Sequence, residues 1–170
     1  ILWYVDTDAT GAGDGTSWTD AYTSLGAFEA AEQTDLVTAQ DNYVVNCRAS
    51  AGTLNGDVQF ATWTTSTTYD IKVIGTDFPI DGIWSDSSFR IQTEGACLIV
   101  ASGVYNITFE KLQMYCTNTT SGTRSIAGFG SGSGQVATHS FKQCIFRLGD
   151  SGTNTRACIS IGSSGNAGST

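Results

Sequence analysis

The stretch Ile107-Thr-Phe-Glu-Lys-Leu-Gln-Met114 is echoed 32 residues later by His139-Ser-Phe-Lys-Gln-Cys-Ile-Phe146. The shift aligns apolar side chains with one another: Phe109 with Phe141, Leu112 with Cys144, and Met114 with Phe146. Each copy predicts two short strands joined by a two-residue corner, because apolar residues alternate on either side of it. A repeat of this period is typical of stacked architectures, in which each unit buries its apolar face against the next.

Further short strands are predicted from residue 41 onward, separated by turns rich in Gly, Ser, Thr, Asn and Asp. The predicted strands are Tyr43–Cys47, Tyr69–Ile74, Phe89–Ile91, Cys97–Val100, Tyr105–Phe109, Leu112–Tyr115, Val136–Phe141, Cys144–Arg147 and Ala157–Ile161. No helical pattern separates them. The Thr117–Arg124 and Gly128–Gly134 stretches are predicted to protrude as loops.

The only convincing helical pattern lies at the N-terminal side of these strands, over residues 19–41. Thr19 or Asp20 could cap it, and Tyr22 and Leu25 fall near one face. Gly26 weakens the pattern, so two short helices are the alternative. We expect three regions: an extended segment with an Asp/Gly loop (1–18), a capping helix (19–41), and stacked coils (42–170). The chain lacks an initial Met and ends in Gly and Ser, so we expect more protein on both sides.

Charge and composition exclude several functions. The 170 residues carry 8 basic and 16 acidic side chains, a net charge of −8, and 20 glycines against one proline. An acidic surface repels phosphates, so nucleic-acid binding is not expected. No apolar run approaches the roughly 20 residues that span a bilayer. The five cysteines show no CxxC spacing, which predicts buried thiols, with one or two disulfides as the alternative: Cys47, Cys97, Cys116, Cys144 and Cys158.

The segment Trp3–Leu25, followed by an Ala-rich helical pattern, resembles the N-terminal end of right-handed parallel β-helix proteins of the pectate-lyase-like superfamily. It is most similar to the β-helix virion proteins of tailed bacteriophages. Ile71–Thr76, Phe89–Ile91 and the Ile107–Met114 repeat extend the resemblance over most of the chain. The fold class expected is therefore all-β, a right-handed parallel β-helix (solenoid) with an N-terminal capping α-helix.

The resemblance implies a structural virion protein, such as a tail spike, tail fibre or head-decoration protein, at the virion surface or outside the cell. Its expected partners are copies of itself, a trimer being one form, other virion proteins and host surface polysaccharide. One alternative is a polysaccharide depolymerase whose active site lies outside this segment. Another is a bacterial extracellular filament or surface adhesin. No nucleophile, base and orienting group can be named together, so no catalytic residue is predicted.

Three carboxylates gather near the N-terminus, at Asp6, Asp8 and Asp14, among glycines. Calcium binds several oxygens on such flexible loops, although the EF-hand pattern fails because its last ligand position is Ser17. The alternative, which we favour, is an Asp/Gly turn whose carboxylates accept hydrogen bonds from their own backbone. We therefore predict no cofactor, with calcium as the one ion that this loop could take.

Aromatic side chains could offer flat apolar faces to sugar rings. The tryptophans and tyrosines considered are Trp3, Trp18, Trp63, Trp84, Tyr69, Tyr105 and Tyr115. Trp3 and Trp18 lie close to the capping helix, where packing is the simpler role. Trp63 and Trp84 lie in polar stretches, so these two, with Tyr69, are the predicted contacts for a glycan or protein partner.

Overall fold

The computed structural model of the protein describes residues 1–93, 98–100, 104, 106–117, 124–131, 138–149 and 156–163. Within these ranges lie two helices, α1 (Leu25–Glu32) and α2 (Leu36–Ala39). The strands are β1 (Leu2–Asp6), β2 (Tyr43–Arg48), β3 (Val58–Phe60), β4 (Ile71–Gly75), β5 (Arg90–Thr93), β6 (Leu98–Val100), β7 (Asn106–Glu110), β8 (Gln113–Cys116), β9 (Arg124–Ser131), β10 (Thr138–Lys142), β11 (Ile145–Leu148) and β12 (Arg156–Ser163).

The strands form separate parallel sheets. The first has the order β1-β2-β4-β7-β10, the second β11-β8-β5, and the third β12-β9-β6-β3. Consecutive strands of the chain mostly enter different sheets, so neighbours within a sheet come from distant parts of the sequence. Long connections are required by this arrangement, because parallel strands cannot be joined by a tight hairpin.

The 32-residue repeat is confirmed by strand pairing. Phe109 is in register with Phe141 on β7 and β10, and Met114 is in register with Phe146 on β8 and β11. The rings of Phe109 and Phe141 stack with centroids 5.3 Å apart. The aligned apolar residues therefore meet in space, as the alternation predicts.

The predicted fold class, an all-β right-handed parallel β-helix, is wrong. The strands of the described ranges form open parallel sheets and no closed solenoid. Two helices accompany these sheets, so the arrangement is closer to a mixed α/β fold. Alternation and repeat length specify which residues face inward and which strands pair. They do not specify whether the connections close each unit into a coil, because that depends on loops whose sequences carry no periodic signal.

The helical region is two short helices and not one helix over 19–41. Ser24 caps α1 by accepting a hydrogen bond from the amide of Ala27, and the Asp35 carboxylate caps α2 by accepting from Val37 and Thr38. Thr19 and Asp20 therefore lie before the first helix and do not cap it. The Glu29 carboxylate accepts a hydrogen bond from the amide of Ala61 at 2.9 Å, which joins α1 to the end of β3. Helix α1 thus covers the edge of the third sheet at β3.

The outer edge of β1 is also covered. The segment 15–22 runs beside it, and the amides of Tyr4 and Asp6 donate to the carbonyls of Gly15 and Tyr22. The amide of Tyr22 donates back to the carbonyl of Tyr4 at 3.0 Å. The amide and carbonyl of Tyr4 and the amide of Asp6, which would otherwise be unpaired at this sheet edge, are therefore satisfied within the chain.

The core lies between the sheets and the helices. On the first sheet, Val45, Val73 and Phe109 occupy one register row, and all three side chains are buried. Leu25 and Phe28 of α1 belong to the same core cluster, and both are fully buried. Residues that alternate with the buried ones face outward, which is the pattern expected for a sheet with one packed face.

The predicted Gly128–Gly134 loop is wrong in its first part, because β9 runs through Ser131.

None of the cysteines at described positions forms a disulfide; these are Cys47, Cys116 and Cys144. Cys97 and Cys158 lie outside the residues with described side chains. In the described part of the chain, no helix has the length and apolar character needed to cross a membrane.

Candidate functional site

A row of three polar or aromatic side chains crosses the second sheet. Tyr115 of β8 is in register with Gln92 of β5 on one side and Arg147 of β11 on the other. Their chain neighbours Ile91 and Met114 are fully buried. Because successive side chains of a strand point to opposite faces, the row Gln92–Tyr115–Arg147 lies on the outward face of this sheet.

Trp84 lies against this row and completes an aromatic surface. Its ring meets the ring of Tyr115 edge-on, with centroids 5.6 Å apart and planes at 74°. The exposed Arg147 guanidinium lies 4.7 Å from the Tyr115 centroid and 5.7 Å from that of Trp84. These distances are those of cation–π contacts. Trp84, Tyr115 and Arg147 are called the Trp84 surface below.

The loop that carries Trp84, residues 76–89, is fixed to neighbouring segments by the buried Gln113 and the half-buried Asp77. Gln113 of β8 is fully buried; its Oε1 accepts from the amide of Ser85 at 2.7 Å and its Nε2 donates to the carbonyl of Ser85 at 3.0 Å. Asp77 accepts from the amides of Ala49 and Phe89, both at 2.9 Å. Hydrogen bonds to buried groups are costly to break, so the loop holds Trp84 in a fixed position.

Charges around the Trp84 surface are unevenly paired. Trp84 donates its indole N–H to Asp86 at 2.8 Å, and the Asp86 carboxylate also lies 3.7 Å from Nε of Arg90. Arg147, by contrast, makes no ion pair with any acidic side chain at the described positions. The surface therefore presents two aromatic rings and one cation whose charge is not neutralised by a described carboxylate.

A second group of the same composition lies on the first sheet. Trp18 meets Tyr4 edge-on at 4.8 Å, and the Arg48 guanidinium lies 4.2 Å from the Trp18 centroid. Here the arginine is neutralised, because Nε of Arg48 donates to the buried carboxylate of Asp6 at 2.7 Å. This Trp18 cluster and the Trp84 surface thus share ring geometry and differ in the pairing of the cation.

The three predicted contact residues have different surroundings. Trp84 is half-buried at the surface just described. Trp63 is 2% exposed, stacks on Phe28 and meets Tyr43 edge-on, so it presents no open ring face to a glycan or partner in this structure. Tyr69 is half-buried and packs against the core. The polar residues that flank Trp63 do not indicate this burial, because its ring partners come from distant segments.

The three carboxylates of the N-terminal loop have protein partners. Asp6 accepts hydrogen bonds from Arg48, from Ser50 and from the amide of Asp8. Asp8 accepts from the amide of Ala51 at 2.7 Å, and Asp14 accepts from the amide and hydroxyl of Thr16. Among the described residues, no three His, Cys, Asp or Glu side chains are grouped as a metal site would require. Calcium binding by this loop stays a prediction.

The Asp6 network predicts a pH-dependent contribution to stability. Burial raises the pKa of the Asp6 carboxyl, but hydrogen bonds from Arg48, Ser50 and Asp8 outweigh it and hold the pKa below its ordinary value of 3.8. Folding therefore favours the ionised carboxylate. The stability that Asp6 contributes is fully present above the pKa of Asp6 in the unfolded chain, and it is lost as the pH falls through the lower pKa of Asp6 in the folded protein.

We expect Asp6→Asn to lower the free energy of unfolding by about 1–3 kcal/mol at pH 7, because charged hydrogen bonds to a buried group are removed. The difference from the wild type should shrink as the pH falls below about 4. Urea unfolding at pH 7, 4 and 2.5 measures it. A difference that stays constant over this range would show that ionisation of Asp6 does not stabilise the fold.

Comparisons with known proteins add no identification: no family model, no curated protein and no solved structure matches this chain. The site therefore has to be interpreted from its own geometry. Sequence reasoning considered Tyr115 among many aromatic residues and missed the role of Arg147. The 32-residue repeat already placed Arg147 beside Tyr115, so the signal for this pair was present in the register.

Proposed function

We propose that this protein is a non-enzymatic surface protein that binds glycans through the Trp84 surface. The observation that carries the proposal is the outward-facing group of Trp84, Tyr115 and Arg147 on one sheet. Sugar rings have apolar C–H faces bordered by hydroxyls. Aromatic rings beside an exposed hydrogen-bond donor match both parts of such a ligand.

Rigidity supports the same proposal. The ring of Trp84 is fixed by Asp86, by Tyr115 and by a loop that Gln113 attaches to the sheet. A side chain that is ordered before binding loses little conformational entropy when the ligand arrives. An aromatic residue with these features is a typical hot spot of binding energy.

The resemblance of the N-terminal segment supports a more specific proposal, that the chain is a tail spike, fibre or head-decoration protein of a tailed phage. Immunogold electron microscopy with an antibody against the chain tests this localisation. Label on discrete virions is the expected result. Label on filaments attached to bacterial cells would contradict it and favour a bacterial filament or adhesin.

Glycan binding is tested with an array of bacterial surface oligosaccharides, followed by titration of the tightest binder. We expect Trp84→Ala to weaken this binding at least about tenfold, because the main stacking surface is removed. The ligand should keep its chain length during incubation, whereas its cleavage would favour a depolymerase.

The matched control is Trp18→Ala, which removes a tryptophan from the equivalent cluster whose arginine is already paired. We expect this variant to bind as the wild type does. The proposal would be overturned if the wild type bound no glycan on the array, or if Trp84→Ala bound as tightly as the wild type while remaining folded.

A further inference from the structure

The charge pairing of the two aromatic clusters differs in a way that bears on ligand chemistry. In the Trp18 cluster, the Asp6 carboxylate holds the arginine at 2.7 Å. In the Trp84 surface, the equivalent position beside Arg147 has no described carboxylate within ion-pair distance. The first arrangement shows that an arginine lying over a tryptophan ring binds a carboxylate within this protein.

We propose that the Trp84 surface binds glycans that carry a carboxylate, such as uronic or sialic acids, with Arg147 as the residue that selects the acidic group. The inference rests on the proposed glycan-binding function and specifies its ligand class. The sugar ring packs on Trp84 and Tyr115, and its carboxylate accepts hydrogen bonds from the guanidinium of Arg147.

Geometry favours this role for Arg147. The guanidinium carbon of Arg147 lies over the Tyr115 ring, 4.7 Å from its centroid, and Arg147 is exposed to solvent. An arginine in this arrangement can donate two parallel hydrogen bonds to one carboxylate, which a neutral hydroxyl does not match. Gln92, in register on the far side of Tyr115, adds an amide for the ring hydroxyls.

Asp86, the acidic residue bound to Trp84, does not oppose this assignment. The Asp86 carboxylate accepts the indole N–H of Trp84 and lies 3.7 Å from Nε of Arg90, so its charge already has two partners. The net charge of −8 repels an anionic ligand at long range. This repulsion is screened within roughly 8 Å at physiological ionic strength, so short-range contacts determine selectivity.

The experiment compares acidic ligands with matched neutral forms by isothermal titration calorimetry. The pairs are tetragalacturonate with its methyl ester, and sialyllactose with the methyl ester of its sialic acid. We expect the wild type to bind at least one acidic member about tenfold or more tightly than its neutral partner, because a charge-assisted bidentate contact is present in only one of them.

Variants at Arg147 identify the selecting residue. Arg147→Gln should abolish the preference for the acidic member, and Arg147→Lys should retain only part of it, because lysine keeps the charge and lacks the planar donor edge. Lys72→Gln is the control, since it removes one positive charge from the first sheet, where Lys72 pairs with Glu110 at 2.7 Å. It should leave the preference unchanged.

The outcomes separate the two proposals. Equal binding of acidic and neutral members, binding of neutral members alone, or an unchanged preference in Arg147→Gln would each overturn the acidic-glycan inference while glycan binding stands. If the wild type bound none of these four ligands, the acidic-glycan inference would fall, and if it also bound nothing on the oligosaccharide array, both proposals would fall together.

Discussion

Trp63→Ala is expected to lower the free energy of unfolding by about 3–5 kcal/mol, a large part of the stability of a typical domain. Trp63 is 2% exposed, its ring stacks on Phe28 with centroids 5.9 Å apart, and it meets Tyr43 edge-on at 5.7 Å. Truncation removes these contacts and leaves a cavity between α1 and β2. Urea unfolding measures the change.

Trp63→Phe gives a sharper version of this test. The indole N–H of Trp63 is buried and finds no hydrogen-bond partner among the described residues. A buried donor without a partner costs roughly 1–3 kcal/mol, so phenylalanine should offset part of the lost packing. We expect its loss to be clearly smaller than that of alanine.

The control for both variants is Ile80→Ala, which removes a large apolar side chain that is fully exposed. It should change the free energy of unfolding by less than about 0.5 kcal/mol. Equal effects at Trp63 and Ile80 would contradict the placement of Trp63 in the core.

Gly75→Ala is expected to destabilise the fold by about 1–3 kcal/mol or more through overpacking. A Cβ at Gly75, the last residue of β4, would overlap the carbonyl oxygen of Lys111 and lie 3.1 Å from its carbonyl carbon. Those atoms belong to the backbone of the corner between β7 and β8. They cannot rotate away as a side chain could, so the strand or the corner has to shift.

Gly56→Ala is the matched control, because a Cβ there would meet no atom within 4 Å. Alanine at such a position is neutral or stabilises by up to about 1 kcal/mol, since it restricts the unfolded chain. Thermal or urea unfolding of the two variants side by side measures the contrast. Equal stabilities would show that β4 and the Lys111 corner are not in close contact.

The sequence was informative where a property depends on residues close together in the chain. Alternation predicted the strands around Val73 and Met114, and the repeat predicted that Phe109 meets Phe141. Both follow from the two-residue period of a strand. Strands that carry the same apolar pattern in the two repeats then pair, because both bury these side chains in one core.

The sequence was uninformative where long loops determine how the sheets are connected. The predicted solenoid depended on how residues 49–57 and 76–89 connect the sheets, and no period describes those segments. Trp63 lies among threonines, a context typical of exposed turns, yet it is buried by Phe28 and Tyr43. The Trp84 surface likewise needs a loop and two strands to come together. The repeat pairs Tyr115 with Arg147, but nothing in the sequence places Trp84 beside them.

The segment 15–22 has a further consequence for how these chains can join. A second molecule adding a strand at β1 would first have to displace Gly15 and Tyr22 from the amides of Tyr4 and Asp6. The displaced segment also carries Tyr22, whose ring packs with Trp3 and Phe28, so opening this edge would disturb the core. The edge at β1 therefore disfavours the addition of a strand from a second molecule, and this protects the protein from aggregation through that edge.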